Sequence, residues 1–153
     1  MWVLPEIKDP VLQRAPTRKS VASFGAANLA TGTFVRMFCA VFNAETFQDF
    51  LRRLLRHRSN RRRMIIVLDN ARYHHARLLA PFLRKCRRVL SLPFLPPYSP
   101  QLASIERVWK LTRRLAAHNR YFATFAELLE GVNICFDAWR RPYSVLGRLC
   151  CII

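Results

Sequence analysis

The sequence is poor in acidic residues, with nine Asp and Glu in 153 residues against 26 Lys and Arg. The formal net charge at pH 7 is therefore +17, and the sequence pI is about 11.3. Such an excess of positive charge implies an acidic partner, of which nucleic acid is the leading candidate. An anionic membrane surface is the alternative, although no basic amphipathic helix stands apart from the globular pattern. The hydrophobic content of 52% argues against a disordered chain.

Long apolar runs and paired cysteine motifs are also lacking. No apolar run approaches the roughly 18 residues that a transmembrane helix needs, so no membrane span is predicted. Residues 1–6 lack the basic lead and apolar block of a signal peptide. The five cysteines include no CxxC pair, and an odd count of this kind predicts reduced thiols in a cytoplasmic protein. A zinc site formed by His74, His75 and Cys86 is disfavoured, because their spacing matches no usual zinc finger.

The most informative segment begins with an apolar, β-branched-rich run at residues 64–68, which predicts a buried strand. This run ends on Asp69, so a carboxylate lies at the strand edge where open α/β sheets place ligands and chemistry. Glu106 follows at the start of a helical pattern. We therefore predict that the two carboxylates face each other across one sheet edge, close enough to share a divalent ion. In so basic a chain, this pair suggests metal-dependent chemistry on a polyanion.

The order of the predicted elements indicates one α/β domain, with the late strands linked by helical crossovers and therefore predicted to be parallel. In order, they are strands at 21–28 and 33–42 joined near Gly32, a helix capped by Asn43, a strand at 64–68, a short helix near Pro81, a strand at 89–95, the helix carrying Glu106 and a last helix opened by Thr124. Residues 1–20 are predicted to be an irregular lead-in because prolines interrupt them. The domain is predicted over residues 21–142, with a C-terminal tail at 143–153.

Three blocks of residues carry a resemblance to a known family. They are Leu68-Asp69-Asn70 followed by His74, then Leu95-Pro96-Pro97-Tyr98-Ser99-Pro100, then Ile105-Glu106-Arg107-Val108-Trp109. In this order and spacing they resemble the second and third catalytic blocks of DDE transposases of the mariner-related bacterial insertion-sequence type. The similarity runs over nearly the whole chain. One departure is Ala103, where the family usually has an Asn that supports the loop before the last acid.

The resemblance implies a ribonuclease-H-like mixed sheet flanked by helices. It implies metal-dependent DNA cleavage and strand transfer in transposition, with transposon ends as the DNA partner and a homodimer as a further expectation. Asp69 and Glu106 would be the catalytic metal ligands, and hard oxygen donors of this kind suit Mg²⁺ or Mn²⁺. A ribonuclease H proper is a weaker interpretation, because the proline-rich block has no counterpart there.

Seven residues near the two acids are candidates for DNA contacts. They are Arg72, His74, Tyr98, Arg107, Lys110, Arg113 and Arg114. The helical period predicts that the last four lie on the face of their helix away from its apolar stripe. Binding through phosphate contacts should be salt-sensitive and weakly selective, since no base-reading motif is visible.

Each of these side chains also has a structural interpretation that carries no function. Asp69 could be a turn former at the end of a strand. Glu106 could pair with Lys110 one helical turn later. His74 could orient a phosphate or be a half-buried polar residue. The basic residues could form a solvated helix face, and Tyr98 could pack rather than contact DNA.

The catalytic set of the family has three acids, and the first lies on the central strand of the sheet. Upstream of residue 21 this chain offers only Glu6 and Asp9, in a segment that Pro5 and Pro10 interrupt. The resemblance therefore implies that the first strand and its Asp lie before Met1. We predict a truncated fragment without efficient cleavage activity, in which residues 64–68 expose an apolar edge. The alternative is a non-catalytic, nucleic-acid-binding remnant.

Overall fold

The computed structural model describes residues 21–59, 61–97, 104–118 and 120–150. The strands are β1 (Ala22–Ala27), β2 (Phe34–Cys39), β3 (Met64–Ile65) and β4 (Leu90–Ser91). The helices are α1 (Ala44–Leu55), α2 (Ala80–Cys86), α3 (Ser104–Thr112), α4 (Phe125–Ala138) and α5 (Ser144–Cys150). Two 3₁₀ turns, Arg72–His75 and Arg77–Leu79, precede α2, and a π-helical stretch, Arg113–Ala117, continues α3. The α/β class predicted from the sequence is confirmed.

Strands β1 and β2 form the predicted antiparallel hairpin, with Ala22 opposite Cys39 and Ala27 opposite Phe34. Its turn depends on Gly32, whose φ of 69° lies in the left-handed region that favours glycine. An added Cβ there would lie 2.1 Å from the Tyr143 carbonyl oxygen, so glycine also permits close packing against the start of α5.

The hairpin has two apolar faces, because alternate residues of a strand point to opposite sides. On one face, Phe24 and Val35 pack into a cluster with α1, called here the first cluster. On the other face, Phe34 and Phe38 pack into a cluster with α3, α4 and α5, called here the second cluster. The hairpin therefore lies between two hydrophobic cores and contributes side chains to both.

The first cluster is built around helix α1, whose apolar positions follow the predicted helical period. Its buried residues are Phe24, Phe47, Phe50, Leu51, Leu54, Leu68 and Leu79. Asn43 caps the helix as predicted: its side chain accepts a hydrogen bond from the Thr46 amide at 2.8 Å, and the Thr46 hydroxyl accepts one from the Asn43 amide at 3.1 Å.

The second cluster joins the C-terminal helices to the hairpin, and its buried residues are Phe34, Val108, Phe136, Trp139 and Leu146. Thr124 caps α4 as predicted, accepting a hydrogen bond from the Glu127 amide at 3.2 Å. Helix α5 lies within residues 143–153, which the sequence analysis set apart as a tail, and it packs against α3. Its Leu146 is fully buried, because the short apolar stripe of this helix closes the cluster.

Strands β3 and β4 pair in parallel, with Met64 opposite Leu90, and a further parallel bridge joins Leu68 to Phe94. The prediction that the strand at residues 64–68 is buried was wrong for two of its side chains. Leu68 is 8% exposed and Met64 and Ile66 pack against the first cluster, but Ile65 and Val67 are 66% and 54% exposed. Only one face of this strand is covered by the described residues, and alternate side chains therefore reach the surface.

Within the described ranges, the sheet consists of two separate two-stranded parts, β1–β2 and β3–β4. The first strand, which the resemblance assigns to a segment before Met1, has no counterpart among the described residues and stays a prediction. No helix in the described part of the chain is long and apolar enough to cross a membrane.

Candidate functional site

Asp69 follows the end of the β3 segment, where several hydrogen bonds hold the backbone. The Leu68 amide donates to the Pro93 carbonyl at 3.0 Å, and the Leu95 amide donates to the Leu68 carbonyl at 2.8 Å. The Asn70 side-chain amide then donates to the Leu95 carbonyl at 2.8 Å. Because backbone groups on both sides of Asp69 are tied to the neighbouring segment, the position of this residue at the sheet edge is well defined.

The Asp69 carboxylate is held on one side and open on the other. Its Oδ1 accepts hydrogen bonds from the Ala71 amide at 3.1 Å and from His74 Nδ1 at 3.1 Å. The side chain is nevertheless 67% exposed. An acid that is oriented by two donors and still reaches solvent is suited to binding a cation or an incoming ligand.

His74 lies beneath Asp69 and is 7% exposed. Its ring packs against the rings of Phe47 and Tyr73, with centroids 4.3 and 4.4 Å away. Nδ1 also lies 3.0 Å from the Asp69 carbonyl oxygen, so both of its partners are acceptors and Nδ1 must carry the proton. Burial lowers the pKa of His74, against the opposing effect of its hydrogen bonds to Asp69. The neutral ring therefore holds Asp69 through a hydrogen bond rather than through an ion pair.

Tyr73 adds a further aromatic ring to the apolar surroundings of His74. Its ring lies 5.9 Å from the Phe24 and Phe47 rings and stacks on Phe42 at 6.0 Å. Burial, followed by the negative charge of Asp69, raises the pKa of Tyr73, so its hydroxyl stays protonated at neutral pH. The phenol is thus a neutral neighbour of the acid.

Glu106 lies in the first turn of α3 and is exposed. Val108 on the same helix is fully buried, so α3 is anchored in the second cluster. Among the described residues, Glu106 and Lys110 form no ion pair, and that alternative explanation of the glutamate is not supported. The predicted close approach of the Asp69 and Glu106 carboxylates remains a prediction.

Helix α3 approaches the sheet at Gly25, a residue that sequence reasoning missed. A Cβ added to Gly25 would lie 2.6 Å from the Phe34 ring and 2.8 Å from the Trp109 ring. Trp109 is one helical turn after Glu106, so this contact sets the height of the acid above the sheet. The available signal was an isolated glycine inside a strand pattern, which often marks a close approach of another element.

The basic candidates fall into different environments. Arg72 is exposed in the 3₁₀ turn that follows Asp69. Lys110, Arg113 and Arg114 are exposed on α3 and its π-helical continuation. Arg107 is half-buried, and its Nη1 donates to the Leu149 carbonyl at 2.9 Å, which ties α3 to α5. This contact gives Arg107 a structural role besides any contact with DNA.

Tyr98 and Ala103, two further residues of the resemblance, lie outside the described residues. The acids at positions 69 and 106 offer the hard oxygen donors that Mg²⁺ and Mn²⁺ prefer. Within the described ranges, no cluster of three or more His, Cys, Asp or Glu side chains is assembled for a metal ion. The donor chemistry therefore fits a divalent ion, with two carboxylates as the candidates that this part of the chain supplies.

Comparison with known proteins adds a family match to this geometry. A sequence model of the DDE superfamily endonuclease family matches residues 4–129. The chain is similar to "Uncharacterized protein y4pE/y4sA" of Sinorhizobium fredii (strain NBRC 101917 / NGR234), with 29% identity over 128 residues that cover 81% of this chain and 89% of that protein.

Among solved structures, the chain is similar to a chain of the Mos1 strand transfer complex, with a TM-score of 0.61 and 22% identity. The similarity covers 98% of this chain and 48% of the Mos1 chain, so this chain spans about half the length of that protein. Taken together with the described elements, this likeness bears out the ribonuclease-H-like α/β fold predicted from the sequence.

Proposed function

The chain belongs to the DDE superfamily endonuclease family, and we propose that it is the catalytic domain of a transposase, acting in metal-dependent DNA cleavage and strand transfer. The observation that carries this proposal is the Asp69 carboxylate, which is oriented by two hydrogen bonds at a sheet edge yet remains open to solvent. A structural turn former needs no such support from a buried histidine.

Asp69 and Glu106 are the residues that would hold Mg²⁺ or Mn²⁺. When bound, divalent ions of this kind activate the attacking oxygen and relieve negative charge on the leaving oxygen of a phosphodiester. The protein's own contribution is orientation. Asp69 is held by the Ala71 amide and by His74, and Glu106 is carried on a helix anchored by Val108.

His74 is proposed as a positioning residue rather than a phosphate ligand. Its ring is buried between Phe47 and Tyr73, and its Nδ1–H already donates to Asp69. A buried neutral imidazole fixes the rotamer of the acid without adding positive charge that would compete with a metal ion.

DNA is the proposed partner, and its phosphates would contact the exposed cations beside the two acids. Arg72 follows Asp69 in the chain, and Lys110, Arg113 and Arg114 follow Glu106. Arg107 and Tyr98 remain candidates for additional contacts. The similarity to a chain of the Mos1 strand transfer complex supports a DNA partner. Transposon ends as the particular DNA, a homodimer and a cytoplasmic location belong to this proposal as well.

The second candidate function is that of a nucleic-acid-binding remnant that does not catalyse DNA cleavage. It is favoured by one observation: the described residues assemble no group of three or more His, Cys, Asp or Glu side chains that could hold a metal ion. A two-carboxylate site should bind a divalent ion more weakly than the three-acid set of the family. We therefore propose that this chain by itself binds DNA and metal but cleaves DNA inefficiently.

The test is a nicking assay on supercoiled DNA with Mg²⁺ or Mn²⁺. We compare the 153-residue chain with Asp69→Asn and Glu106→Gln. Asp49→Asn is the matched control, because its side chain is 60% exposed against 67% for Asp69. The proposal expects slow, metal-dependent nicking that the first two variants lose and the control keeps. DNA binding without nicking in any variant would favour the remnant, and nicking that survives both substitutions would contradict the assigned acids.

A further inference from the structure

The second group of basic residues lies at the end of the β3–β4 pair opposite to Asp69. One tract, Arg61 to Arg63, immediately precedes β3, and the other, Lys85 to Arg88, ends one residue before β4. Because β3 and β4 run in parallel, the segments that precede them meet at one edge of the pair. We call this the basic edge and define it by Arg61, Arg62, Arg63, Lys85, Arg87 and Arg88, all of them exposed.

A direct contact joins the two tracts. Arg63 Nη2 lies 3.3 Å from the Arg87 carbonyl oxygen and 3.5 Å from the Leu90 carbonyl oxygen. Residues that are 24 positions apart are therefore neighbours in the fold. The first tract is itself ordered by Arg58, whose Nη1 donates to the Arg62 carbonyl at 3.0 Å. The Arg63 side chain and the backbones of Arg62 and Arg87 are therefore held by hydrogen bonds, which fix where the two tracts meet.

No acidic side chain in the described part of the chain forms a salt bridge with the basic edge. Between Asp49 and Glu106 the sequence contains a single acidic residue, Asp69, which lies at the other end of the strand. Like charges gathered in this way destabilise a fold through their mutual repulsion. An external polyanion would remove that cost.

The basic edge is separate from the site at Asp69. Met64 and Asp69 are five residues apart along an extended segment, so their backbones are separated by roughly 16 Å at about 3.3 Å per residue. A phosphate that contacts Arg63 is therefore out of reach of the Asp69 carboxylate. Next to this edge, Arg84, Lys85 and Arg87 line an open depression of about 490 Å³ together with Pro81.

We propose that the basic edge is a docking surface for the phosphate backbone of a DNA duplex, distinct from the cations beside Asp69 and Glu106. Arginine-rich surfaces without acidic partners among the described residues suit sequence-independent phosphate contacts. The inference rests on the proposed function only in taking DNA as the polyanion. It adds a second place on the molecule where DNA binds, remote from the two acids.

The test measures the affinity for short DNA duplexes of unrelated sequence between about 50 and 200 mM salt. The variant Arg61→Gln/Arg62→Gln/Arg63→Gln removes three charges of the basic edge. The control Arg140→Gln/Arg141→Gln/Arg148→Gln removes three exposed charges elsewhere. We expect the slope of log affinity against log salt to become shallower by about 2–3 in the first variant, since each lost phosphate contact contributes about 0.9. In the control variant the slope should change by less than about 0.9, the contribution of one phosphate contact.

Because the hydrogen bonds of Arg63 also support the fold, two further variants separate a loss of charge from a loss of structure. Arg87→Gln/Arg88→Gln leaves the hydrogen bonds of Arg63 intact and should still reduce the slope. Arg61→Lys/Arg62→Lys/Arg63→Lys keeps the charge and should retain most of the affinity. Equal losses in the basic-edge and control variants would overturn the inference, as would a loss of binding to anionic lipid vesicles without a loss for DNA. Failure of the unmodified chain to bind any duplex would instead overturn the proposed function.

Discussion

The two candidate acids are supported in different ways. Asp69 is oriented locally, by the Ala71 amide and by a buried His74, both within five residues of it in the chain. The Glu106 side chain forms no salt bridge with the described residues, and its position depends on how α3 packs against the hairpin. One acid is thus held by hydrogen bonds and the other by a helix whose burial sets its location.

This difference predicts how each acid responds to change. Mutations near Asp69 should alter the orientation of the carboxylate while leaving the fold largely intact. Mutations at the contact between α3 and β1 should move Glu106 as a rigid part of its helix. The hairpin links the two, because Phe24 packs into the first cluster and Phe34 into the second.

The largest expected effect is that of Phe47→Ala, which should lower the free energy of unfolding by about 3–5 kcal/mol. Phe47 is 1% exposed, and its ring packs on His74 with the centroids 4.3 Å apart. The pKa of His74 should also move back towards its ordinary value, because the burial that lowers it is reduced. Phe136→Ala in the second cluster is the matched control.

Phe136→Ala should cost a similar free energy but leave the pKa of His74 unchanged, since Phe136 belongs to the other cluster. Denaturant titration gives the stabilities, and NMR titration of the histidine gives the pKa. The comparison between the two regions fails if Phe136→Ala shifts the pKa of His74 as much as Phe47→Ala does.

The next effect is that of Gly25→Ala, which should destabilise the chain by about 1–3 kcal/mol through overpacking. The new methyl would meet the Phe34 and Trp109 rings at 2.6 and 2.8 Å. Gly131→Ala is the control, because the nearest atom to its added Cβ is 3.7 Å away and the site lies within α4. It should raise stability by up to about 1 kcal/mol through helix propensity.

Trp109 fluorescence should report the displacement of α3 in Gly25→Ala and not in Gly131→Ala. If Gly25→Ala proves neutral, the packing of Trp109 on Gly25 does not set the position of α3, and the account of how Glu106 is carried must be abandoned.

The smallest effect concerns pH. The folded-state pKa of His74 is lowered, chiefly by burial, so the unfolded chain binds more protons just below the ordinary value of 6.5. The stability that the neutral ring contributes is therefore present above pH 6.5 and is lost as the pH falls below it. The slope for one proton cannot exceed about 1.4 kcal/mol per pH unit. His74→Gln should flatten this dependence in metal-free buffer.

His75→Gln is the matched control, because this neighbouring histidine is exposed and stacks on Phe94. It should keep most of the pH dependence of the unmodified chain, because burial, and not the charge of His75, is the largest cause of the lowered pKa of His74. Equal flattening in both variants would show that the buried ring is not the source.

The sequence predicted the local features of this molecule well. Asn43 and Thr124 mark the starts of their helices and Gly32 marks the hairpin turn, because each of these signals acts over a few residues. The strand predicted at residues 64–68 is shorter in the structure, with β3 at Met64–Ile65 and a single further bridge at Leu68 before Asp69. The contacts that position the site were harder to foresee. The packing of Trp109 on Gly25 joins residues that lie 84 apart (109 − 25), and no local pattern encodes such a contact.

Burial and the packing of charges were equally hard to foresee. Residues 64–68 read as a wholly buried strand because every side chain is apolar, whereas the structure covers only the face towards the first cluster. The contact of Arg63 with the second basic tract follows from parallel pairing of β3 with β4, which the sequence suggested without giving the register.

Mn²⁺ binding to the purified chain shows whether Asp69 and Glu106 together hold one divalent ion. The set is the unmodified chain, Asp69→Asn, Glu106→Gln, the double variant, and the controls Asp49→Asn and Glu130→Gln. We expect each single site variant to weaken Mn²⁺ binding at least about tenfold, or by about 1.4 kcal/mol. The double variant should be little weaker than either single variant, because the two acids act as a unit. Unchanged Mn²⁺ affinity in Asp69→Asn and Glu106→Gln, or losses no larger than those of the two controls, would contradict a shared site.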